Sequence, residues 1–240
     1  MTRADIFLVE QGYYESRARA QAAIKAGLVK VDGKRLKKAS EKLTDLNDIT
    51  AKEEHPWVSR GGLKLVHALR EFDVCPKGKL CLDVGASTGG FSQVLASKGA
   101  RKIYAVDVGQ RQLHPKLKNV PEIISMEQTD ARTLKAADFD GPPQLIVCDA
   151  SFISAMKVLE VPLALAAPSA QLITLVKPQF EVGKAGIGRG GIVTSESLAL
   201  QALSDVSAWV SAKGWDVSAT CLSPIKGGSG NTEYLLHASK

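Results

Sequence analysis

From residue 79 onward the hydrophobic positions come in short, nearly unbroken runs: KLCLDVG, RKIYAVDVG, EIISM, QLIVCD and QLITLV. Apolar runs of this length without polar alternation fit strands buried on both faces. Helical or loop stretches separate them, and the segment from about Ser195 to Ala212 reads as a long helix. Strands alternating with helices predict an α/β fold with a mostly parallel, doubly wound sheet. WDVSATCLS and TEYLLHAS follow as two strands with no helix between them, which predicts an antiparallel pair at one edge and so an antiparallel edge strand.

The first 55 residues are patterned differently. A helix starting near Ala4 places Ile6, Leu8 and Val9 before a stop at Gly12. Ser16 is placed to cap a second helix that ends at Gly27. LVKVDGKRL then reads as a hairpin turning at Asp32-Gly33. HPWVS has the texture of a linker. The expected organisation is a small α+β domain over 1–55, a linker over 56–62 and a sheet domain over 63–240.

Charge sharpens this division. The formal net charge is +6, and residues 1–60 hold 12 Lys/Arg against 9 Asp/Glu, so half the excess sits in the first quarter. Arg17, Arg19, Lys25, Lys30, Lys34, Arg35, Lys37 and Lys38 crowd onto one helix and the adjoining turn. Such a run is commonly a solvated face; gathered into one patch it would suit a polyanion. Arg3 and Arg60 are the further candidates for that patch. Asp5 and Glu10 stand where a secretion signal would need an apolar core. The most apolar region, residues 158–176, is broken by Glu160, Pro162 and Pro168. A cytoplasmic protein without a membrane partner is therefore expected. Four cysteines form no C-x-x-C pair and four histidines show no ligand spacing, so no metal site is expected.

The chemistry concentrates in DVGASTGGF, residues 83–91, which leaves a strand and opens a helix. In an open α/β sheet ligands bind outside the carboxyl ends of the strands. Gly85, Gly89 and Gly90 have the wrong spacing for a dinucleotide fingerprint, and Phe91 stands where a phosphate loop needs lysine. The turn therefore suits a ligand without a pyrophosphate. Asp107 ends the next strand and can accept both hydroxyls of a ribose, while Asp130 follows the third and can meet an adenine amine. That set fits S-adenosyl-L-methionine, with Asp83, Ser87, Thr88, Phe91 and Asp149 as further cofactor-binding candidates. Lys177 ends LITLV where a turn residue would be ordinary, Asp149 ends QLIVCD, Lys64 lies in SRGGLKL and Glu233 in GNTEYLL. A single lysine at a strand end is usually a surface residue. Several ionisable groups on one rim are a candidate site.

SRGGLKL, DVGASTGGF, CDASFIS, LVKPQFEVGK and SGNTEY, in that order, resemble the TlyA (hemolysin A) family, whose catalytic domain is an FtsJ-like RNA 2′-O-methyltransferase with a Rossmann-like sheet. The likeness runs over nearly the whole chain. The N-terminal segment resembles the small RNA-binding domain first seen in ribosomal protein S-four. The resemblance implies methyl transfer from S-adenosylmethionine to a ribose 2′-hydroxyl of ribosomal RNA, with a cytidine as the expected target, and ribosomal RNA or subunits as partners of a monomer. It also implies a catalytic tetrad of Lys64, Asp149, Lys177 and Glu233. Because a ribose hydroxyl must lose its proton as it attacks, Lys177 is then the expected base, Lys64 the neighbouring cation that lowers it, Asp149 the group that orients the amine, and Glu233 the group that positions Lys64 or the ribose. Ser87-Thr88 replaces the Ala-Pro of many FtsJ-like enzymes, which bears on substrate and not on fold. The glycine-rich KAGIGRGG, residues 184–191, is expected to be a mobile flap in which Lys184 and Arg189 meet phosphate. KGGSG ahead of Glu233 is expected to be a second such loop. Two rival readings remain: a cytolysin acting on membranes, and an RNA-binding protein whose methyltransferase domain is inactive.

Overall fold

The computed structural model describes residues 1–52 and 55–240. They form two compact units, Met1–Pro56 and Trp57–Lys240. The first unit runs β1 (Thr2–Arg3), α1 (Ala4–Glu10), α2 (Arg17–Ala26), β2 (Val29–Val31), β3 (Lys34–Arg35), β4 (Lys42–Leu43) and β5 (Ile49–Ala51). The Ser16 side chain accepts from the Arg19 amide, and Gly27 closes α2 in the left-handed region at φ 78°, the two ends that capping chemistry requires. Val31 pairs with Lys34 across Asp32 and Gly33, at φ 51° and 75°. Two positive φ values make the tight mirror-image turn that matches strand twist. Phe7, Leu8, Ile24, Val29, Leu36 and Leu43 form this unit's own core.

The second unit runs α3 (Gly61–Glu71), β6 (Leu80–Val84), α4 (Gly90–Ser97), β7 (Lys102–Val106), β8 (Ile123–Met126), β9 (Leu145–Cys148), α5 (Ala155–Ala164), β10 (Gln171–Val176), α6 (Glu196–Ala212), β11 (Asp216–Leu222) and β12 (Tyr234–Ser239). Its seven strands are ordered β11-β12-β10-β9-β6-β7-β8. All run parallel except β12, which is antiparallel to both neighbours. The antiparallel strand is thus second from the edge, and β11 lies outside it. The burial patterns agree: β12 is buried almost throughout, whereas β11 alternates between half-buried and exposed.

Alternate residues of the sheet feed two separate cores. Leu82, Ile146, Leu172 and Leu236 face Leu159 of α5 and Val206 of α6. Cys81, Val147, Ile173 and Leu235 face Leu65 of α3 and Val94 of α4. Both faces being covered explains the unbroken apolar runs. Burial pushes up the thiols of Cys81 and Cys148, consistent with their role as small core residues.

The expected linker over 56–62 is shorter than its composition implies. Trp57 and Val58 pack against the second unit's core, and Gly61 and Gly62 already belong to α3. A β-carbon on Gly62 would lie 2.5 Å from the Trp57 ring, and one on Gly90 would lie 2.2 Å from Ser59 Oγ. The two glycines let this segment seat against α3 and α4.

Strand order reverses between β6 and β9, where the chain departs first to one side and then to the other. Gly85 sits at that point, at φ 78°, and a β-carbon there would lie 2.7 Å from the Ala150 Cα. Gly78, also left-handed at φ 74°, has open space around it. Gly78→Ala should therefore cost about 1–2 kcal/mol, the conformational strain alone. Gly85→Ala should cost visibly more, because backbone must also move. Urea unfolding of the two variants checks this, and equal losses would contradict the close approach.

Candidate active site

The carboxyl ends of β6, β9 and β10 open onto one rim. Asp149 directly follows β9 and Lys177 directly follows β10, while Lys64 projects from α3. Glu233 directly precedes β12. Because β12 runs the other way, with Tyr234 paired to Val176, its beginning lies at the same rim.

The four groups form a continuous chain of ion pairs. Lys177 Nζ lies 2.7 Å from Asp149 Oδ1. It also donates to the Asp149 carbonyl at 3.0 Å and to the Ser151 hydroxyl at 2.8 Å. Lys64 Nζ donates to Glu233 Oε2 at 2.8 Å and lies 3.3 Å from Asp149 Oδ2. Lys64, Lys177 and Glu233 are buried, at 8%, 6% and 3% exposure. Two lysines and two carboxylates balance, so the cluster is neutral. Taking one partner from such a buried pair costs about 3–5 kcal/mol, because the charge left behind is uncompensated.

Two cavities of about 600 Å³ each meet at this chain and share Gly85, Ser87, Asp149, Ser151 and Phe152. The first reaches Lys64, Lys177, Glu233, Thr88, Gly90 and Phe91. The second runs over the glycine turn to Asp107, Val108 and Asp130. Asp107 fastens the turn, since Oδ2 accepts from the Ser87 amide at 2.8 Å and Oδ1 from the Gly109 amide at 2.7 Å. Asp130 also lines the second cavity, but Arg132 engages both its oxygens, with Nη2 at 2.6 Å. This guanidinium holds the Asp130 carboxyl below its ordinary range.

Comparison with known proteins agrees with this fold. A family model for FtsJ-like methyltransferases matches residues 57–240, and one for the S4 domain matches residues 2–49. This chain is an FtsJ-like methyltransferase. It is 41% identical to the 16S/23S rRNA (cytidine-2′-O)-methyltransferase TlyA of Mycobacterium tuberculosis, over 98% of this chain and 88% of that one. It is 38% identical to Hemolysin A of Brachyspira hyodysenteriae, over 98% of both. A solved structure from Streptococcus thermophilus, named as a hemolysin, superposes with a TM-score of 0.79 at 40% identity, covering 100% of this chain and 88% of that one.

Several features of this FtsJ-like site have no local signature in sequence. Ser151 supplies one of three acceptors around the Lys177 amine. Phe152 stands at the junction of the cavities, 93% exposed and at φ 66°, a backbone region that bulky side chains rarely adopt. Asn231 joins the two glycine-rich loops: its amide donates to the Gly191 carbonyl at 2.8 Å and its oxygen accepts from the Val193 amide at 3.0 Å. The 184–191 stretch is further tied by Gly188 N to Ile192 O and by Thr194 N to Gly186 O. Lys184 and Arg189 are exposed on it.

The basic candidates of the first unit divide into two groups. Arg3 and Arg17 both pair with the buried Asp5, at 3.0 and 3.1 Å. The Arg3 hydrogen bond, helped by Gln21 and Arg17, holds that carboxyl well below the usual carboxylate range. Lys25, Arg35 and Lys37 line one shallow depression, and Lys30 lies opposite Arg35 across β2–β3. Arg19 pairs with Glu15, and Lys34 is exposed beside the turn. Arg60 belongs to the second unit, exposed at the start of α3.

Two expected cofactor contacts fall elsewhere. Gly89, at φ 89°, turns toward Leu113 and Leu117, which a β-carbon would strike at 2.7 and 2.5 Å. Asp83 lies fully buried within β6 and lines neither cavity. Ser92 donates to its Oδ2 at 2.6 Å, and Oδ1 has no partner among the described residues. Burial pushes its carboxyl up to about 7, with the negative charges of Asp149 and Asp107 adding to the effect. Folding therefore favours the protonated form. That contribution is complete below the unfolded value near 4 and is lost as pH rises through about 7. Asp83→Asn keeps an acceptor for Ser92 and cannot ionise. Its melting temperature relative to the native chain should rise steadily from pH 5 to pH 8. An unchanged difference across that range would contradict a titrating Asp83.

Proposed function

We propose that this protein transfers a methyl group from S-adenosylmethionine to the ribose 2′-hydroxyl of a cytidine in ribosomal RNA. The observation that carries the reading is the buried chain Glu233–Lys64–Asp149–Lys177 beside a glycine-turn cavity. The TlyA protein of Mycobacterium tuberculosis is named for this reaction on 16S and 23S rRNA.

The residues fit the cofactor. The second cavity falls within the usual range for ligand sites, roughly 300–1,000 Å³. Gly85 leaves bare backbone at the strand switch. Asp107, anchored by two amides, keeps lone pairs for a ribose diol, and Val108 offers an exposed apolar side chain next to it. Asp130 can meet an adenine amine only in competition with Arg132. When bound, S-adenosylmethionine supplies an electrophilic methyl group.

The protein's own groups handle the proton. A ribose hydroxyl must lose its proton as it attacks. Neutral Lys177 retains two N–H groups, for which Asp149 Oδ1 and the Asp149 carbonyl are in place. Its lone pair then faces the Ser151 hydroxyl, which turns from acceptor to donor, so the ribose proton reaches the amine by relay through Ser151 or by the ribose hydroxyl displacing it. Glu233 fixes Lys64, Lys64 fixes Asp149, and Asp149 aims Lys177. Much of the acceleration comes from holding the hydroxyl in line with the methyl group.

The S4-like unit supplies RNA affinity through Arg3, Arg17, Lys25, Arg35 and Lys37, whose phosphate contacts weaken as salt rises. Among the described residues no helix is long and apolar enough to cross a membrane. All four groups of the ion chain are in place, which favours an active enzyme over an inactive RNA-binding relative.

Two measurements follow. In calorimetry, Asp107→Ala should weaken S-adenosylmethionine binding by about 10-fold or more, the scale of a hydrogen bond to a charged group. Asp130→Ala should weaken it less, because Arg132 already occupies that carboxylate. The reverse order would contradict the assignment. In single-turnover methyl transfer, Lys177→Arg should be nearly as inactive as Lys177→Ala while still binding cofactor, since a guanidinium keeps the charge and cannot give up its proton. Lys64→Arg, whose role needs charge alone, should be the milder change. Substantial activity in Lys177→Arg would remove the base and leave a methyltransferase that works by positioning.

A further inference from the structure

We infer that Gln179 reads the base of the target nucleotide, its side-chain amide accepting a hydrogen bond from the exocyclic amine of cytosine. The inference rests on the methyltransferase reading above and adds a base-selecting residue to it. Gln179 lies two residues beyond Lys177, on the single turn Pro178–Phe180, and lines the same cavity as Lys177, Asp149 and Glu233. Its Oε1 is buried out of reach of solvent and has no hydrogen-bond partner among the described residues, so a turn of the side chain about its own torsions, with the backbone fixed, brings it into the cavity to meet a base. A buried, unpaired amide oxygen is costly, and such a group calls for a ligand or a role. Lys64, Asp149, Ser151, Lys177 and Glu233 in this cavity are satisfied by one another, so the Gln179 amide oxygen stands apart from them.

The turn that carries Gln179 is fixed at both ends. Before it, the Lys177 amine is held by three acceptors. After it, Glu181 accepts from the Ser154 hydroxyl at 2.6 Å and from the Ala155 amide at 2.8 Å. Backbone bonds from Phe180 N to Lys177 O and from Val182 N to Pro178 O close the turn itself. A residue on so rigid a support can discriminate, because a wrong partner cannot be met by moving the backbone. A primary amide presents an acceptor beside a donor. The Watson–Crick edge of cytosine presents the complement: an amine donor beside the N3 acceptor. RNA-modifying proteins commonly read an unstacked base along that edge. The ribose of the same nucleotide must bring its 2′-hydroxyl to Lys177, so its base has to enter the cavity that Gln179 lines.

The test is a cycle between protein and substrate. Two RNAs are prepared that differ at the methylated position alone, one with cytidine and one with pyrimidin-2-one ribonucleoside, which lacks the exocyclic amine. Each is offered to the native chain and to Gln179→Leu, which keeps the bulk and loses the amide. Single-turnover 2′-O-methylation is read at sub-saturating RNA, and calorimetry verifies that cofactor affinity is unchanged. The native enzyme should lose about tenfold or more when the amine is removed, as expected for an amide–base pair. Gln179→Leu should already be slow on cytidine and should lose less than about twofold further. Equal losses in the two proteins, or no loss in the native one, would overturn the base contact while leaving the methyltransferase reading intact. A native chain that methylates neither RNA would overturn both.

Discussion

Asp149 is bound by two lysines at once, and the active site depends on that double contact. One oxygen lies 2.7 Å from Lys177, and the other lies 3.3 Å from Lys64. Neither lysine would be tolerated at its depth without a carboxylate beside it. The contact is possible because strand order reverses between β6 and β9, which leaves the end of β9 facing open space. Gly85 lets the turn after β6 close onto the Ala150 backbone on one side, and Phe152 bounds the space on the other. The sheet, the glycine turn and the ion chain are therefore a single arrangement seen at three scales.

The smaller unit applies the same physics to a different end. Asp5 is buried and gathers Arg3, Arg17 and Gln21 around itself. Its carboxylate fixes two guanidinium groups that still reach the surface, at 41% and 57% side-chain exposure. In the larger unit a half-buried carboxylate, that of Asp149, holds two buried amines at the rim. In the other, Asp5 presents guanidinium groups outward, where planar donors suit phosphate.

What was legible in the sequence was legible for local reasons. Ser16, Gly27 and Asp32-Gly33 act within a few residues of themselves, so their spacing alone predicts the helix ends and the turn. The apolar runs announce strands buried on both faces. The tetrad came from resemblance, because Lys64 and Glu233 are 169 residues apart and no local pattern joins them. The residues that went unread share this non-local character. Ser151 matters through Lys177, Asn231 through two loops, and Gln179 through an amide oxygen with no partner among the described residues. Asp83 misled for the converse reason: its place beside the glycine turn in sequence points to the ligand, while strand alternation and burial turn it inward. The antiparallel strand was foreseen, but its place inside β11 depends on pairing that hydrophobicity does not encode.

That placement has a consequence for how the protein comes into being. β12 is made after β11, yet it lies between β10 and β11 and carries Glu233 to the rim. Until it inserts, β11 has no neighbour in the sheet, and Lys64 lacks its shorter carboxylate contact. The first unit and the strands from β6 to β10 contain their own pairing partners and can form as they leave the ribosome. Lys64 therefore gains its second carboxylate only after β11 has been made.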